Sequence, residues 1–114
     1  MRTAKEVLDN HLELAKSGSV EEDLKTNYSD EVIILSTYGL YKGRKGAQEL
    51  AEILNEELPE AIFEYKNVLI EGEVGFLEWT ASSKTSEVKD GADSYVIRNG
   101  RIIAQTIHYT VKKK

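Results

Sequence analysis

The fold of this chain is decided by the stretch Gly91-Ala-Asp-Ser-Tyr-Val-Ile-Arg-Asn-Gly-Arg-Ile-Ile-Ala-Gln-Thr-Ile-His-Tyr-Thr110. Two β-rich runs are joined at Asn99-Gly100, a dipeptide typical of a two-residue hairpin turn because both positions tolerate positive φ. Asp93 is the only acidic residue in this hairpin. Alternation along the first run places its side chain on the same sheet face as Tyr95 and Ile97. The carboxyl group therefore either lines an enclosed space or is held by hydrogen bonds.

The first half of the chain predicts three helices. Capping-box spacing occurs at Thr3 and Glu6 and again at Ser19 and Glu22, and apolar residues follow each pair at helical intervals. The only proline, Pro59, ends a third segment of this kind. The predicted helices are residues 4–16, a short helix with Val20, Leu24 and Tyr28 on one face, and residues 44–58.

The rest of the chain predicts strands. One strand is expected over residues 31–37, followed by a turn and a short returning segment that ends at residue 43. Four more are expected over 62–70, 74–83, 93–98 and 101–111, and their short links indicate an antiparallel meander. Helices first and sheet afterwards predict one α+β domain over residues 1–114.

Both faces of the predicted sheet are apolar. Phe76, Leu77 and Trp79 occupy both parities of one strand, whereas a half-exposed antiparallel sheet alternates apolar with polar residues. Three short helices can cover one face of a curved sheet. We therefore expect a second copy of the chain to cover the other face, in a homodimer packed through the sheet.

Composition excludes several classes of protein. The net charge is −5, and the only basic cluster is Lys112-Lys113-Lys114, so the basic face of a duplex nucleic-acid binder is missing. The chain has no cysteine, and therefore no disulfide framework and no thiolate metal site. No apolar segment approaches the length of a signal sequence core or a membrane span. We expect a soluble, cytoplasmic protein without a membrane or nucleic-acid partner.

The order of these features resembles the SnoaL-like, or nuclear transport factor 2-like, superfamily, whose fold is shared with the ketosteroid isomerases. The resemblance implies a cone-shaped, curved antiparallel sheet with three helices in the N-terminal half. It does not imply one reaction, because this fold hosts isomerases, cyclases, dehydratases, epoxide hydrolases and non-catalytic binders. The features that carry it are Ser17-Gly18-Ser19 after helix 1, Tyr28-Ser-Asp-Glu-Val-Ile, Tyr41-Lys-Gly43, Phe76-Leu-Glu-Trp79, Gly91-Ala-Asp93 and Val96-Ile-Arg-Asn-Gly-Arg-Ile102.

The resemblance places Asp93 and His11 at a candidate catalytic site. Asp93 falls where ketosteroid isomerases keep a neutral carboxyl group in the oxyanion hole, and His11 falls where they have a tyrosine. His11 would be a general base, a donor to substrate oxygen or the partner of Asp93. The alternatives are that Asp93 caps the turn at Gly91 or bonds neighbouring backbone, and that His11 is a core histidine with one hydrogen bond.

Glu78 is the third candidate catalytic residue. The resemblance implies that Glu78 faces into the cone and that Trp79 faces the second subunit; a register slip of one residue would reverse both. The pocket-lining residues are expected to be Tyr28, Ser36, Phe76, Thr80, Tyr95, Ile103, Gln105, Ile107 and Tyr109. The dimer interface is expected to include Trp79, Thr106 and His108.

Three functions remain open. The first is acid–base catalysis on a small, mostly apolar carbonyl compound, by an isomerase, cyclase or hydrolase that needs no cofactor and no metal. The second is a binding protein whose pocket holds the same kind of small apolar molecule without reaction. The third is an interaction module that uses the sheet face. Ketosteroid isomerases need an acidic general base after the first long strand, but this chain has Ile34-Leu-Ser-Thr-Tyr38 there, so their standard reaction is disfavoured.

Overall fold

A curved sheet of seven strands, covered on one face by three helices, makes up the computed structural model, which describes all 114 residues. The α+β fold class is therefore confirmed. No helix in it is long and apolar enough to cross a membrane. In chain order the elements are α1 (Ala4–Lys16), α2 (Val20–Asn27), β1 (Tyr28–Ser36), β2 (Gly39–Lys42), α3 (Gly43–Glu57), β3 (Ile62–Glu71), β4 (Val74–Ser82), β5 (Ser86–Arg98), β6 (Arg101–His108) and β7 (Lys112–Lys113).

The start of α1 is capped as predicted. The Glu6 amide donates to the Thr3 hydroxyl at 3.1 Å, and the Thr3 amide donates to the Glu6 carboxylate at 2.8 Å. The second predicted capping box is wrong. The Ser19 hydroxyl lies 2.9 Å from the Ser17 hydroxyl and makes no hydrogen bond to the backbone of α2. Because the two serines bond each other, the N-terminus of α2 has no side-chain cap.

The strands lie in the order β2-β1-β6-β5-β4-β3, with β7 paired to the start of β5. The four consecutive strands β3 to β6 form the predicted antiparallel meander. One pair departs from a purely antiparallel sheet, since β1 runs parallel to β6. The chain between them passes through α3 and the meander, and this long crossover is what a parallel neighbour requires.

The sequence left residues 84–92 outside any strand, and this prediction is wrong. After β4 the chain makes a tight turn, in which the Ser83 amide donates to the Ser86 carbonyl at 2.8 Å and the Ser86 amide donates to the Ser83 hydroxyl at 3.0 Å. The following residues extend β5, so Gly91 lies inside a strand. A Cβ atom there would lie 2.3 Å from the Trp79 ring, which explains why glycine occupies a position that sequence patterns assign to a turn.

The core lies between the helices and the inner face of the sheet. Apolar side chains of α1, α2 and α3 pack there against alternate residues of the strands. Its fully buried members include Leu8 of α1, Ile34 of β1 and Ile97 of β5. The opposite face of the sheet, called the outer face below, has no helix over it, and several large apolar side chains on it are exposed.

Candidate active site

A cavity of about 380 Å³ opens between the helices and the inner face of the sheet. Most of its lining is aliphatic or aromatic. Exposed lining residues, among them Gly18, Asn55 and Glu60, mark its mouth, and buried polar residues lie at its inner end. This combination of an apolar wall and a few convergent polar groups is typical of a small-molecule site. Seven of the predicted site residues line it: His11, Tyr28, Ser36, Asp93, Gln105, Ile107 and Tyr109.

Asp93 is buried at the inner end of the cavity and forms hydrogen bonds with three side chains. The Trp79 indole N–H donates to Oδ1 at 2.9 Å; the Tyr95 hydroxyl and the Gln105 amide each lie 3.2 Å from Oδ2. None of these partners is neighbouring backbone, so the capping alternative for Asp93 is excluded. The residue is 8% exposed.

Burial raises the pKa of Asp93 above its ordinary value. Desolvation penalises the carboxylate, and it outweighs the three side-chain donors and the positive charge that His11 carries when protonated, all of which favour ionisation. A neutral carboxyl group at this position could donate a hydrogen bond, whereas a carboxylate only accepts.

Gln105 connects Asp93 to Tyr28. The Tyr28 hydroxyl donates to Gln105 Oε1 at 2.5 Å, and Gln105 Nε2 donates to Asp93. Burial also raises the pKa of Tyr28 well above its ordinary value, so its hydroxyl remains protonated. The amide of Gln105 is oriented from both ends, and the polar end of the cavity is rigid as a result.

His11 does not bond Asp93 directly. Its Nδ1 lies 2.7 Å from Asp23 Oδ2, and its Nε2 lies 3.2 Å from the hydroxyl of Tyr95, which in turn reaches Asp93. Because a carboxylate oxygen only accepts, Nδ1 must carry the proton in the contact with Asp23. The predicted pairing of His11 with Asp93 therefore runs through Tyr95.

Asp23 is a candidate site residue that the sequence patterns did not single out, and it lines the cavity beside His11. It is buried on α2, and its second oxygen accepts from Asn27 at 2.8 Å. A signal was available, since Val20, Asp23, Leu24 and Asn27 follow the i, i+3, i+4, i+7 spacing of one helix face. Asp23 and Asn27 are the polar residues of this face, and their position indicates that each has a buried polar partner. Only the fold shows that the partner of Asp23 is His11.

The predicted orientation of β4 is wrong. Trp79 is buried on the inner face, whereas Glu78 is exposed on the outer face, where it accepts from Asn67 at 3.2 Å. Phe76 and Thr80 share the parity of Glu78, are half-buried and do not line the cavity. Trp79 faces inward because its large ring packs against Phe63 and Tyr109 and its N–H finds Asp93 there. Glu78 therefore lies outside the candidate site, and Trp79 belongs to the core instead of the predicted dimer interface.

Two further lining predictions need correction. Tyr95 is buried behind the cavity wall, and its hydroxyl serves the network instead of the cavity. Ile103 is half-buried and does not line the cavity, because a bulge in the β5–β6 pairing leaves it without a partner between Ile102 and Ala104. An extra residue in one strand changes which neighbours point inward, so Ile102 occupies the core instead.

Thr106 and His108 are exposed on the outer face of β6. Their contact with a second subunit stays a prediction. His108 Nε2 lies 3.6 Å from Asp90 Oδ2, and neither of these two residues lines the cavity.

Three solved structures illustrate the similarity of the fold. A candidate ketosteroid isomerase from Kribbella flavida is 12% identical, with a TM-score of 0.78 over 94% of this chain and 77% of that chain. IdmH, a candidate polyketide cyclase from Streptomyces antibioticus, is 15% identical, with a TM-score of 0.77 over 95% and 92%. An NTF2-like protein of unknown function from Burkholderia xenovorans is 18% identical, with a TM-score of 0.75 over 94% and 82%.

No protein-family model and no curated protein matches the chain. The neighbours therefore establish its architecture and leave its chemistry to be argued from the site. As the resemblance in the sequence predicted, the chain has the nuclear transport factor 2-like fold, which it shares with these three solved structures.

Proposed function

We propose that this protein binds a small, mostly apolar molecule in the cavity and directs a carbonyl or similar oxygen of that molecule to Asp93. The observation that carries the proposal is a buried carboxyl group at the inner end of an apolar cavity. A neutral carboxyl group donates a strong hydrogen bond to a carbonyl oxygen when water is absent. Gln105, itself held by Tyr28, donates to Asp93 and helps to hold the carboxyl group in place.

The same geometry supports a second step, in which the protein catalyses a reaction of the bound carbonyl compound. A hydrogen bond from Asp93 lowers the energy of negative charge that develops on the carbonyl oxygen, as in isomerisations and cyclisations that pass through an enolate. The alternative is a binding protein, in which the hydrogen bond only orients the ligand. The neighbours named as a candidate ketosteroid isomerase and a candidate polyketide cyclase are consistent with the catalytic role.

Binding of 2-acetylnaphthalene, a neutral apolar ketone, tests the proposal. Trp79 is the only tryptophan and bonds Asp93, so its fluorescence should change when the ketone occupies the cavity. Ala51 lines the cavity on α3, and Ala51→Phe should fill the space and weaken binding at least tenfold, about 1.4 kcal/mol. The matched control is Glu49→Phe, which adds the same ring at an exposed position of the same helix and should leave binding unchanged.

The carbonyl stretch of the bound ketone reports on Asp93. We expect this infrared band to lie at lower wavenumber than in water, and the shift to shrink in Asp93→Asn, because an amide is a weaker donor than a carboxyl group. If Ala51→Phe binds as tightly as the wild type, the cavity is not the site. Binding with an unshifted carbonyl band would exclude the role of Asp93.

We further propose that two copies of the chain pack through their outer faces. One row of outward side chains crosses six strands as successive cross-strand partners: Leu40, Leu35, Thr106, Ser94, Phe76 and Leu69. Leu35, Leu40 and Leu69 are more than half exposed in the single chain. Four of the six members are apolar, and exposed apolar surface rimmed by polar residues marks an interface in many proteins.

Sedimentation tests the dimer. We expect the wild type to sediment as a dimer and both Leu35→Glu and Phe76→Glu to sediment as monomers, because each substitution places a charge within an apolar contact. Ile62→Glu is the matched control; Ile62 is also an exposed apolar strand residue but lies outside the row. A monomeric wild type, or dimers that persist in both row variants, would refute the interface.

A further inference from the structure

Four titratable side chains from three elements form one continuous buried chain of hydrogen bonds. Asp23 of α2 bonds His11 of α1 at 2.7 Å, and Tyr95 of β5 lies 3.2 Å from both His11 and Asp93. All four residues are buried, and none of their polar atoms lacks a partner. The cavity reaches both carboxylates and the imidazole, whereas Tyr95 lies behind its wall.

The Tyr95 hydroxyl lies at equal distances from two groups that can accept its single proton. It donates to one of them and can accept from the other. Because His11 Nδ1 already donates to Asp23, a proton on Nε2 would make the ring an imidazolium. The contacts are therefore all satisfied in two arrangements only. In one, Asp93 is protonated and donates to Tyr95, which donates to neutral His11. In the other, protonated His11 donates to Tyr95, which donates to the Asp93 carboxylate.

The two arrangements contain the same number of protons and the same net charge. They interconvert when the Asp93 proton passes to the Tyr95 oxygen while the Tyr95 proton passes to His11 Nε2. No proton enters or leaves, so the net charge of the cluster does not change. In both arrangements Asp23 accepts the same hydrogen bond from His11 Nδ1 at 2.7 Å.

We propose that Asp93, Tyr95 and His11 form a proton relay in which one proton is shared between the Asp93 carboxyl group and the His11 ring, with Asp23 as the positioning residue that holds the ring. The relay sets whether Asp93 presents a carboxyl group or a carboxylate to the cavity, and this change needs no exchange of a proton with solvent.

The relay exists in the ligand-free protein. Its consequence for a bound carbonyl compound rests on the proposed function, because only the arrangement with a protonated Asp93 supplies a donor for the carbonyl oxygen.

NMR of the ligand-free protein with ¹⁵N-labelled histidine tests the relay. We expect the His11 Nε2 shift in the wild type to lie between the values of a neutral ring and an imidazolium, and to change with temperature as the two arrangements exchange. Asp93→Asn should move it to the neutral value at the same pH, because the shared proton is lost. His108 is an exposed internal control and should not respond.

The double variant distinguishes a relay from simple attraction between charges. In the Tyr95→Phe background, which lacks the hydroxyl, Asp93→Asn should change the titration midpoint of His11 by less than half as much as in the wild-type background. Equal changes in both backgrounds, or none in either, would overturn the relay. If Tyr95→Phe fails to fold, the wild-type protein still tests the relay. A His11 Nε2 chemical shift that stays at the neutral-ring value or at the imidazolium value at all temperatures would refute a shared proton. Failure of ketone binding would leave these shifts unaffected, so the two proposals fail separately.

Discussion

Replacing Trp79 by alanine is expected to lower the free energy of unfolding by about 3–5 kcal/mol, the usual cost of removing a buried large aromatic ring. The ring is 5% exposed and packs between Phe63 and Tyr109, with ring centroids at 5.7 and 5.5 Å. Its loss also leaves Asp93 Oδ1 without a donor. Urea unfolding followed by circular dichroism measures the effect, since the variant has no tryptophan to report by fluorescence.

Thr80→Ala is the matched control for the Trp79→Ala variant. Thr80 is the next residue of β4 and points to the outer face, so we expect its loss to cost about 0.5 kcal/mol or less. The comparison separates the two registers of the strand. If the alanine variant of Trp79 unfolded no more easily than the variant of Thr80, the tryptophan would not belong to the core.

Replacing Asp23 by alanine is expected to lower the free energy of unfolding by roughly 3–5 kcal/mol, because removing one partner of a buried pair leaves the other without compensation. His11 Nδ1 and the Asn27 amide would both lose their acceptor. Urea unfolding followed by the fluorescence of Trp79 measures the loss. Asp23→Asn should recover part of it, since an amide oxygen still accepts from the ring.

Asp9→Ala is the control for Asp23→Ala, because it removes a carboxylate from the surface instead of from the core. Asp9 bonds Lys5 at 2.7 Å, but both side chains are more than half exposed. Solvent screening leaves such pairs with little effect on stability, so this variant should unfold almost as the wild type does. Equal losses from Asp9 and Asp23 would show that the buried pair does not stabilise the fold.

Sequence patterns predicted the helices and the meander because both depend on local signals. A capping box at Thr3, a proline after α3 and the Asn99-Gly100 turn each act within a few residues. Even so, the start of β5 was misjudged, since Gly91 resembles a turn residue. Glycine is needed there because a Cβ atom would collide with the ring of Trp79, which lies twelve positions earlier on the neighbouring strand.

The site was predictable only in part. Asp93, His11 and Gln105 carry chemistry unusual for a core, and their strand parity or helix face could be inferred with few assumptions. Glu78 and Trp79 could not be assigned to faces, because a shift of one residue exchanges the faces of a whole strand. The bulge at Ile103 had the same effect within β6. Asp23 had a helical signal, but its partner lies on another helix.

The sequence by itself determined the order of elements, the fold and the presence of one acid in the last hairpin, because capping, turn formation and apolar periodicity are properties of short segments. Only the tertiary structure decided that Trp79 supports Asp93 from inside, that Glu78 lies in solvent and that Asp23 reaches Asp93 through His11 and Tyr95. These contacts join residues from α1, α2, β4 and β5. They depend on strand register and on which side chains become buried, and both are set only when separate segments of the chain pack together.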